Sequence, residues 1–450
     1  MSPQRDFPAG FTWGAATASY QIEGAVAEAG RLPSIWDTFS HTPGKVDNDD
    51  NGDTACDHYH RWEDDLDLIA SLGLQAYRFS VAWPRVMPDG RTVNQRGLDF
   101  YKRLVDGMHA RGITPFMTLY HWDLPQALED EGGWRDRGIV DRFADFALTV
   151  GEALGDQVST ITTLNEPWCS AYLGHASGEH APGLTDNGLA YPVAHHLNLG
   201  HGRAVSALRS VVPATTTLSV TLNLMQVEPA SGSEADLRAA RHVDAISNRI
   251  FLDPIYRGTY PADLIEDTKH LTDWSFVHDG DLAEINVPTD FLGVNYYNPA
   301  RISATDGRPW PGTDLAFGAR IPGPATIMDW PIVPSGLTDL LVRVHKDYGV
   351  PIMVTENGCA APDPVSADGA VHDADRVDYL HGHLGAVLDA VESGADVRGY
   401  FLWTLLDNFE WAWGFDKRFG MVHVDYETQK RTPKDSALWY RDVIARNGLA

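Results

Sequence analysis

Eight times along this chain a short apolar run gives way to an amphipathic stretch, and few folds accept that rhythm. The apolar runs span residues 11–21, 76–83, 113–123, 159–167, 217–225, 291–299, 352–358 and 397–408. Nearly unbroken runs of this kind fit parallel strands buried on both faces. Between them lie helical patterns. In QRGLDFYKRLVDGMHARG, residues Leu98, Tyr101, Leu104, Val105 and Met108 share one stripe at i, i+3, i+4 spacing. SGLTDLLVRVHKDYG and DADRVDYLHGHLGAVLDAVESG read the same way, each closing near a glycine. Eight alternations in 450 residues predict an α/β chain folded as a (β/α)8 TIM barrel with long βα loops. A doubly wound sheet shares the periodicity, but no GxGxxG follows the first run.

No Pro/Ser-rich hinge, low-complexity tract or repeat of roughly 20–50 residues breaks the chain. Residues 1–450 are therefore expected to form a single domain. An apolar content of 43% is enough for a large core. With 35 Lys and Arg against 62 Asp and Glu, the net charge is −27. Such a surface repels phosphate backbones and anionic lipids, so neither nucleic acid nor a membrane is expected as a partner. A neutral small molecule fits, and homo-oligomer formation stays open. The cysteines, Cys56, Cys169 and Cys359, are odd in number, far apart and without CxxC spacing. That argues against a disulfide framework or a zinc site and for a reducing compartment. The first residues hold no apolar run long enough for a signal-peptide core, and no stretch nears the roughly 18 apolar residues of a membrane span. Cytoplasm is the expected location.

In a barrel, chemistry gathers where the strands end, at the C-terminal face. The ends of these runs carry Gln21, Trp83, His121 with Trp122 and Asp123, Asn165 with Glu166, Asn223, Asn295 with Tyr297, Glu356 with Asn357, and Trp403. A single polar strand end ordinarily caps a helix or satisfies loop backbone. That reading weakens for all of them together, because caps do not call for Gln, His, Trp and Glu.

Glu166 closes the fourth run in TLNEP and Glu356 the seventh in VTENG. Strands four and seven lie on opposite sides of a barrel mouth, so the two carboxyls can face each other across a pocket. Cleavage of a glycosidic bond needs such a pair, one to protonate the departing oxygen and one to meet the anomeric carbon. The ordinary alternative for either residue is an exposed glutamate paired with an arginine. Trp83, Trp122, Trp168, Trp330, Trp403, Trp411 and Trp413 fall in or near the predicted mouth. Indole faces suit the flat C–H faces of sugars, and Gln21, His121, Asn165 and Glu410 suit their hydroxyls. Core packing is the alternative for any one tryptophan.

TASYQIEG, YRFSVAW, HWDLP, TLNEPW, GVNYY, VTENG and FLWTLLDNFEWAWGFDKRFGMVHVDY closely resemble the motifs of family-one glycoside hydrolases, the β-glucosidase family. The resemblance runs in order from Phe11 to about Tyr440. It implies the same barrel, and retaining exo-action on terminal β-glucosyl residues with no cofactor. It also implies Glu166 as acid/base and Glu356 as nucleophile, supported by Arg78, Asn165 and Tyr297. The substrate-binding set implied is Gln21, His121, Trp122, Asn165, Asn223, Asn295, Trp330, Trp403, Glu410 and Trp411, with Trp168 on the aglycone side. Cys359, after the VTENG motif, is less usual there; Cys169 likewise follows TLNEPW, and neither has a partner His in a known motif.

Other signals are weaker. Asp47, Asp49, Asn51 and Gly52 match the start of a calcium loop, but position twelve is His58 rather than Glu. His195, His196, His201, His381 and His383 lack HExxH spacing and are read as packing or surface residues, so no metal is expected. A non-catalytic sugar binder would be expected to lose one of the two glutamates. A phospho-β-glycosidase would be expected to lack Glu410, whose carboxylate repels a phosphate. An endo-glycanase is disfavoured because the Glu410–Trp411 loop resembles the closed end of a pocket.

Overall fold

The computed structural model describes residues 5–305 and 307–450. Eight parallel strands close into a barrel: β1 Thr12–Ala16, β2 Ala76–Ser80, β3 Thr114–Tyr120, β4 Thr160–Asn165, β5 Thr217–Asn223, β6 Phe291–Asn295, β7 Ile352–Asn357 and β8 Val397–Trp403. Each strand pairs with the next in sequence, and β8 pairs with β1 to complete the ring. Every strand lies within one of the apolar runs and stops one to five residues short of its end. Those last residues turn outward into the loops that form the mouth.

The outer ring follows from the helical stripes. It comprises α1 His58–Ser71, α2 Gln95–Ala110, α3 Ile139–Leu154, α4 Ala190–Arg209, α5 Ile250–Arg257, α6 Pro334–Tyr348, α7 Ala374–Glu392 and α8 Asp435–Arg446. The α2 stripe of Leu98, Tyr101, Leu104, Val105 and Met108 is buried throughout. Helix α6 stops at Gly349, whose φ of 65° is left-handed and whose N–H returns to the His345 carbonyl. Among the described residues, no helix is long and apolar enough to cross a membrane.

The barrel lumen is less apolar than the runs suggest. In β4 and β5 the outward residues, such as Ile161, Leu218, Val220 and Leu222, are buried against the helices. The inward ones are hydroxyls: Thr160 meets Thr217 at 2.8 Å and Thr162 meets Ser219 at 2.7 Å. Gly293 leaves room for this ladder, since a Cβ there would lie 2.2 Å from Thr221 Oγ1 and 2.8 Å from Thr355 Oγ1. Phe116 and Phe401, centroids 4.8 Å apart, pack together beside small neighbours such as Ala76.

Candidate active site

Strands β4 and β7 both lose regular register as they reach the mouth. The β4–β5 ladder shifts between Thr162 and Asn165, and the β6–β7 ladder shifts between Val354 and Glu356. Such irregularities re-aim the side chains beside them. Glu166 follows the first shift with φ of 46°, and two other residues at the mouth, Trp122 at 75° and Trp411 at 51°, are also left-handed. Each costs on the order of 1–3 kcal/mol in a non-glycine residue, which the surrounding packing must offset. After Glu166 the chain winds into a π-helical segment, Cys169–Ser177, that lines one wall.

The two carboxyls end up fully enclosed, Glu166 with 6% and Glu356 with 3% of their surface exposed, and their partners differ in kind. Arg78 Nη1 donates to Glu356 Oε1 at 2.6 Å and the Tyr297 hydroxyl donates to Oε2 at 2.8 Å. Among the described residues, Glu166 receives only neutral donors, Asn295 Nδ2 on Oε1 at 2.6 Å and the Cys169 thiol on Oε2 at 3.2 Å. Asn165 joins the two halves: its Oδ1 accepts from Arg78 Nη2 at 2.7 Å and from Asn295 Nδ2 at 3.1 Å. Its own Nδ2 lies 3.1 Å from His121 Nε2, which must then be the imidazole's acceptor nitrogen.

These surroundings push the two carboxyls apart. Burial first, and then the charge of Glu356, raise the Glu166 pKa to about 8. Burial also raises Glu356, but the Arg78 charge, its hydrogen bond and that of Tyr297 all pull the other way. A guanidinium contact keeps Glu356 the more readily ionised of the pair. Glu410 is held well above the usual carboxylate range by burial and by both glutamates. His121 is held well below the usual imidazole range by burial and then by Arg78, so it is neutral.

The carboxyls open on a cavity of about 850 Å³. Its walls include His121, Trp122, Glu166, Trp168, Asn223, Asn295, Tyr297, Trp330, Glu356, Trp403, Glu410 and Trp411. All twelve stand among the residues singled out from sequence alone. His121 stacks between Trp403, 5.8 Å away at 23°, and Trp411, 5.9 Å away at 20°. Arg78, Asn165 and Gln21 are not in the walls but just behind them. Gln21 Nε2 donates to Asn408 Oδ1 and to the Phe409 carbonyl, bracing the loop that carries Glu410. Among the described residues, three buried polar atoms around this end, Gln21 Oε1, His121 Nδ1 and Glu410 Oε2, find no hydrogen-bond partner.

Some residues fall elsewhere. Trp83, expected near the mouth, lies under the outer helices, stacked on Phe146 at 4.8 Å. Trp413 does reach the cavity. Sequence reasoning missed Leu173, His180, Leu224, Met225 and Asn298 as wall residues. Leu173 sits in the π-helical segment and His180 in the loop after it, where no periodicity marks them; Leu224, Met225 and Asn298 end their apolar runs beside Asn223 and Tyr297 and were within reach. The helix histidines are packing residues: His195 bonds Asp281 at 2.9 Å, His201 bonds Thr163 at 2.7 Å and His383 stacks on Tyr379 at 3.9 Å. The acidic run supports the far wall, since Asp50 accepts from the Phe415 amide at 3.0 Å. Among the described residues, no three His, Cys, Asp or Glu side chains group as a metal site would.

Known proteins share this arrangement over the whole chain. The profile of Glycosyl hydrolase family 1 matches residues 3–449. A bifunctional β-D-glucosidase/β-D-fucosidase of Bifidobacterium breve is 53% identical, the match covering 98% of each chain. β-Glucosidase A of Thermotoga maritima is 47% identical over 99% of each. A solved T. maritima β-glucosidase in complex with glucoimidazole superposes with a TM-score of 0.94 at 47% identity, covering 99% of this chain and 100% of that one. With profile, sequence and fold in agreement from end to end, this chain belongs to glycosyl hydrolase family 1.

Proposed function

We propose that this protein is a retaining β-glucosidase in which Glu356 is the nucleophile and Glu166 the acid/base. The observation that carries the reading is the unequal partnering of two buried carboxyls: Glu356 is held by a cation and a phenol, and Glu166 by an amide and a thiol. The first arrangement favours a carboxylate ready to attack, the second a carboxylic acid ready to protonate. Glu166 gives its proton to the glycosidic oxygen as Glu356 bonds to the anomeric carbon. Glu166, now ionised, takes a proton from water, which releases the sugar with retained configuration. Esterification removes the charge of Glu356, and the acidity of Glu166 rises at the step that needs a base.

The walls suit a terminal, uncharged sugar. Trp403, Trp122 and Trp411 offer faces to it, while Glu410 and neutral His121 offer an acceptor and a donor to its hydroxyls. Arg and Lys are absent from the cavity walls among the described residues, and the carboxyl of Glu410 disfavours a phosphorylated sugar. The curated relatives, named as glucosidases, a glucan glucohydrolase and a glucosidase/fucosidase, support the same substrate class. We read the whole chain as one catalytic domain, and its three free, buried cysteines as suited to a reducing cytoplasm. The test is a comparison of kcat/KM across nitrophenyl β-glucoside, β-fucoside, β-galactoside, β-xyloside and β-glucoside 6-phosphate. The glucoside or fucoside should lead and the 6-phosphate should be poorest; preference for the 6-phosphate would overturn the reading.

A further inference from the structure

The two oxygens of Glu166 are not equivalent, and Arg78 determines which is which. A guanidinium can only donate. Its Nη2 lies 2.7 Å from Asn165 Oδ1, so that atom is an acceptor. Asn295 Nδ2 shares the same acceptor at 3.1 Å and is therefore correctly placed as the amide nitrogen. Thr355 Oγ1 agrees, donating to Asn295 Oδ1 at 2.8 Å. Glu166 Oε1, 2.6 Å from Asn295 Nδ2, is thus occupied by a donor whether or not the carboxyl is protonated. A transferable proton belongs on Oε2. The protein group facing Oε2 is the Cys169 thiol, 3.2 Å away, and Asn223 Nδ2 donates to that sulfur at 3.7 Å.

We propose that Cys169 is a positioning residue for Glu166: its S–H donates to Oε2, the oxygen that carries the transferable proton, when the carboxyl is ionised, and yields that oxygen when it is protonated. The proposal rests on the reading of Glu166 as acid/base. Placement follows from the chain, because Cys169 is three residues beyond Glu166 and its N–H returns to the Glu166 carbonyl at 3.0 Å. The sulfur serves as a thiol and not a thiolate, since burial and the Glu166 charge hold its pKa well above the usual range. Its contact favours the carboxylate form and so opposes the effect of burial on Glu166. The other groups acting on Glu166 are Glu356 from β7, Arg78 from β2, and Tyr297 and Glu410 from the loops after β6 and β8; Glu179 acts on the thiol. Neutral His121 completes the far wall. Replacing Cys169 leaves all of these in place.

The test is the pH dependence of kcat/KM on nitrophenyl β-glucoside for the wild type, Cys169→Ala, Cys169→Ser and Glu166→Gln. An acid must be protonated to act, so its pKa sets the basic limb. Cys169→Ala should move that limb up by about half to one pH unit, the size expected for losing a weak donor to a charged group. Cys169→Ser, which keeps a donor, should hold it at or below the wild-type position, and Glu166→Gln should abolish it. A limb unmoved in Cys169→Ala but lost in Glu166→Gln would overturn the role of the thiol alone. An equal rise in the Ala and Ser variants would also overturn it, because lost packing would then suffice. A limb that survives in Glu166→Gln would overturn the acid/base reading beneath it.

Discussion

Arg78 Nη1 lies 2.6 Å from Glu356 Oε1, with both side chains at most 4% exposed. A buried ion pair of this kind is costly to assemble and more costly to break, because the remaining partner keeps its charge without compensation. Here the arginine is also a fixed donor from which the orientations of Asn165, Asn295 and His121 follow in turn. The pair therefore sets the charge of one catalytic carboxyl and the hydrogen-bond direction at the other.

Tyr297→Phe tests the support of Glu356 gently, since it removes one hydroxyl and little volume. The lost hydrogen bond to a carboxylate is worth about 1.5–3 kcal/mol. The Glu356 pKa should rise, because the donor favours the charged form. A nucleophile must be ionised, so the acidic limb of kcat/KM should shift to higher pH and the plateau should fall by about 10- to 100-fold. An unmoved acidic limb would mean that Tyr297 only shapes the cavity.

Glu356→Gln removes the second cause of the raised Glu166 pKa, the neighbouring negative charge. Burial remains. Titration of Glu166 followed by carbon NMR of labelled glutamate should therefore show a lower pKa in the variant than in the wild type. A pKa that stays the same or rises would show that the two carboxyls do not feel each other, and the switch from acid to base would lose its cause.

Much of this site was legible in the sequence because barrel geometry turns a linear pattern into a ring. Glu166, Asn165, His121 and Glu356 stand at strand ends, and closing the barrel brings strand ends together. The partnering was not legible. That Asn295 touches Glu166 directly, or that Cys169 does, depends on a register shift and a π-helical turn that no periodicity announces. Trp83 marks the opposite error. It follows a strand as Trp122 does, but the chain enters a short helix at once and carries the indole down among Phe143 and Phe146.

Glu166→Gln should harm substrates in proportion to their need for a proton. The second glucose of cellobiose leaves as a strongly basic alkoxide and should be released far more slowly. A dinitrophenyl glucoside leaves as a stable phenolate, so its first step should nearly survive, with a burst as the glycosyl-enzyme waits for a base. Acid–base assistance of about 10²–10⁴-fold makes the difference in kcat/KM ratios easy to resolve. Equal losses on both substrates would mean that Glu166 binds or positions the sugar instead.

Behind the mouth, a buried ion network ties the loops after β7 and β8 to the start of α8. Arg376 pairs with Asp363 and Asp373, Lys434 bridges Asp363 and Asp407, and Arg418 joins Asp407. Asp407→Ala would leave Arg418 without its carboxylate and Lys434 with Asp363 alone, at a cost of about 3–5 kcal/mol. The thermal midpoint should drop by several degrees. Arg5→Ala, which breaks exposed pairs with Asp389 and Glu392, should leave it unchanged within error. Equal effects of the two substitutions would show that the network is not what holds these loops.

The central claim is that Glu356 bonds to the sugar. In a 2-deoxy-2-fluoro-β-glucoside the fluorine slows both steps, while a dinitrophenyl leaving group keeps the first fast enough to proceed, so the intermediate should be trapped. Mass spectrometry of the digested, inactivated protein should find one added fluoroglucosyl group, carried by the peptide containing Glu356. Attachment to Glu166, or complete turnover with no adduct at any time, would contradict the account.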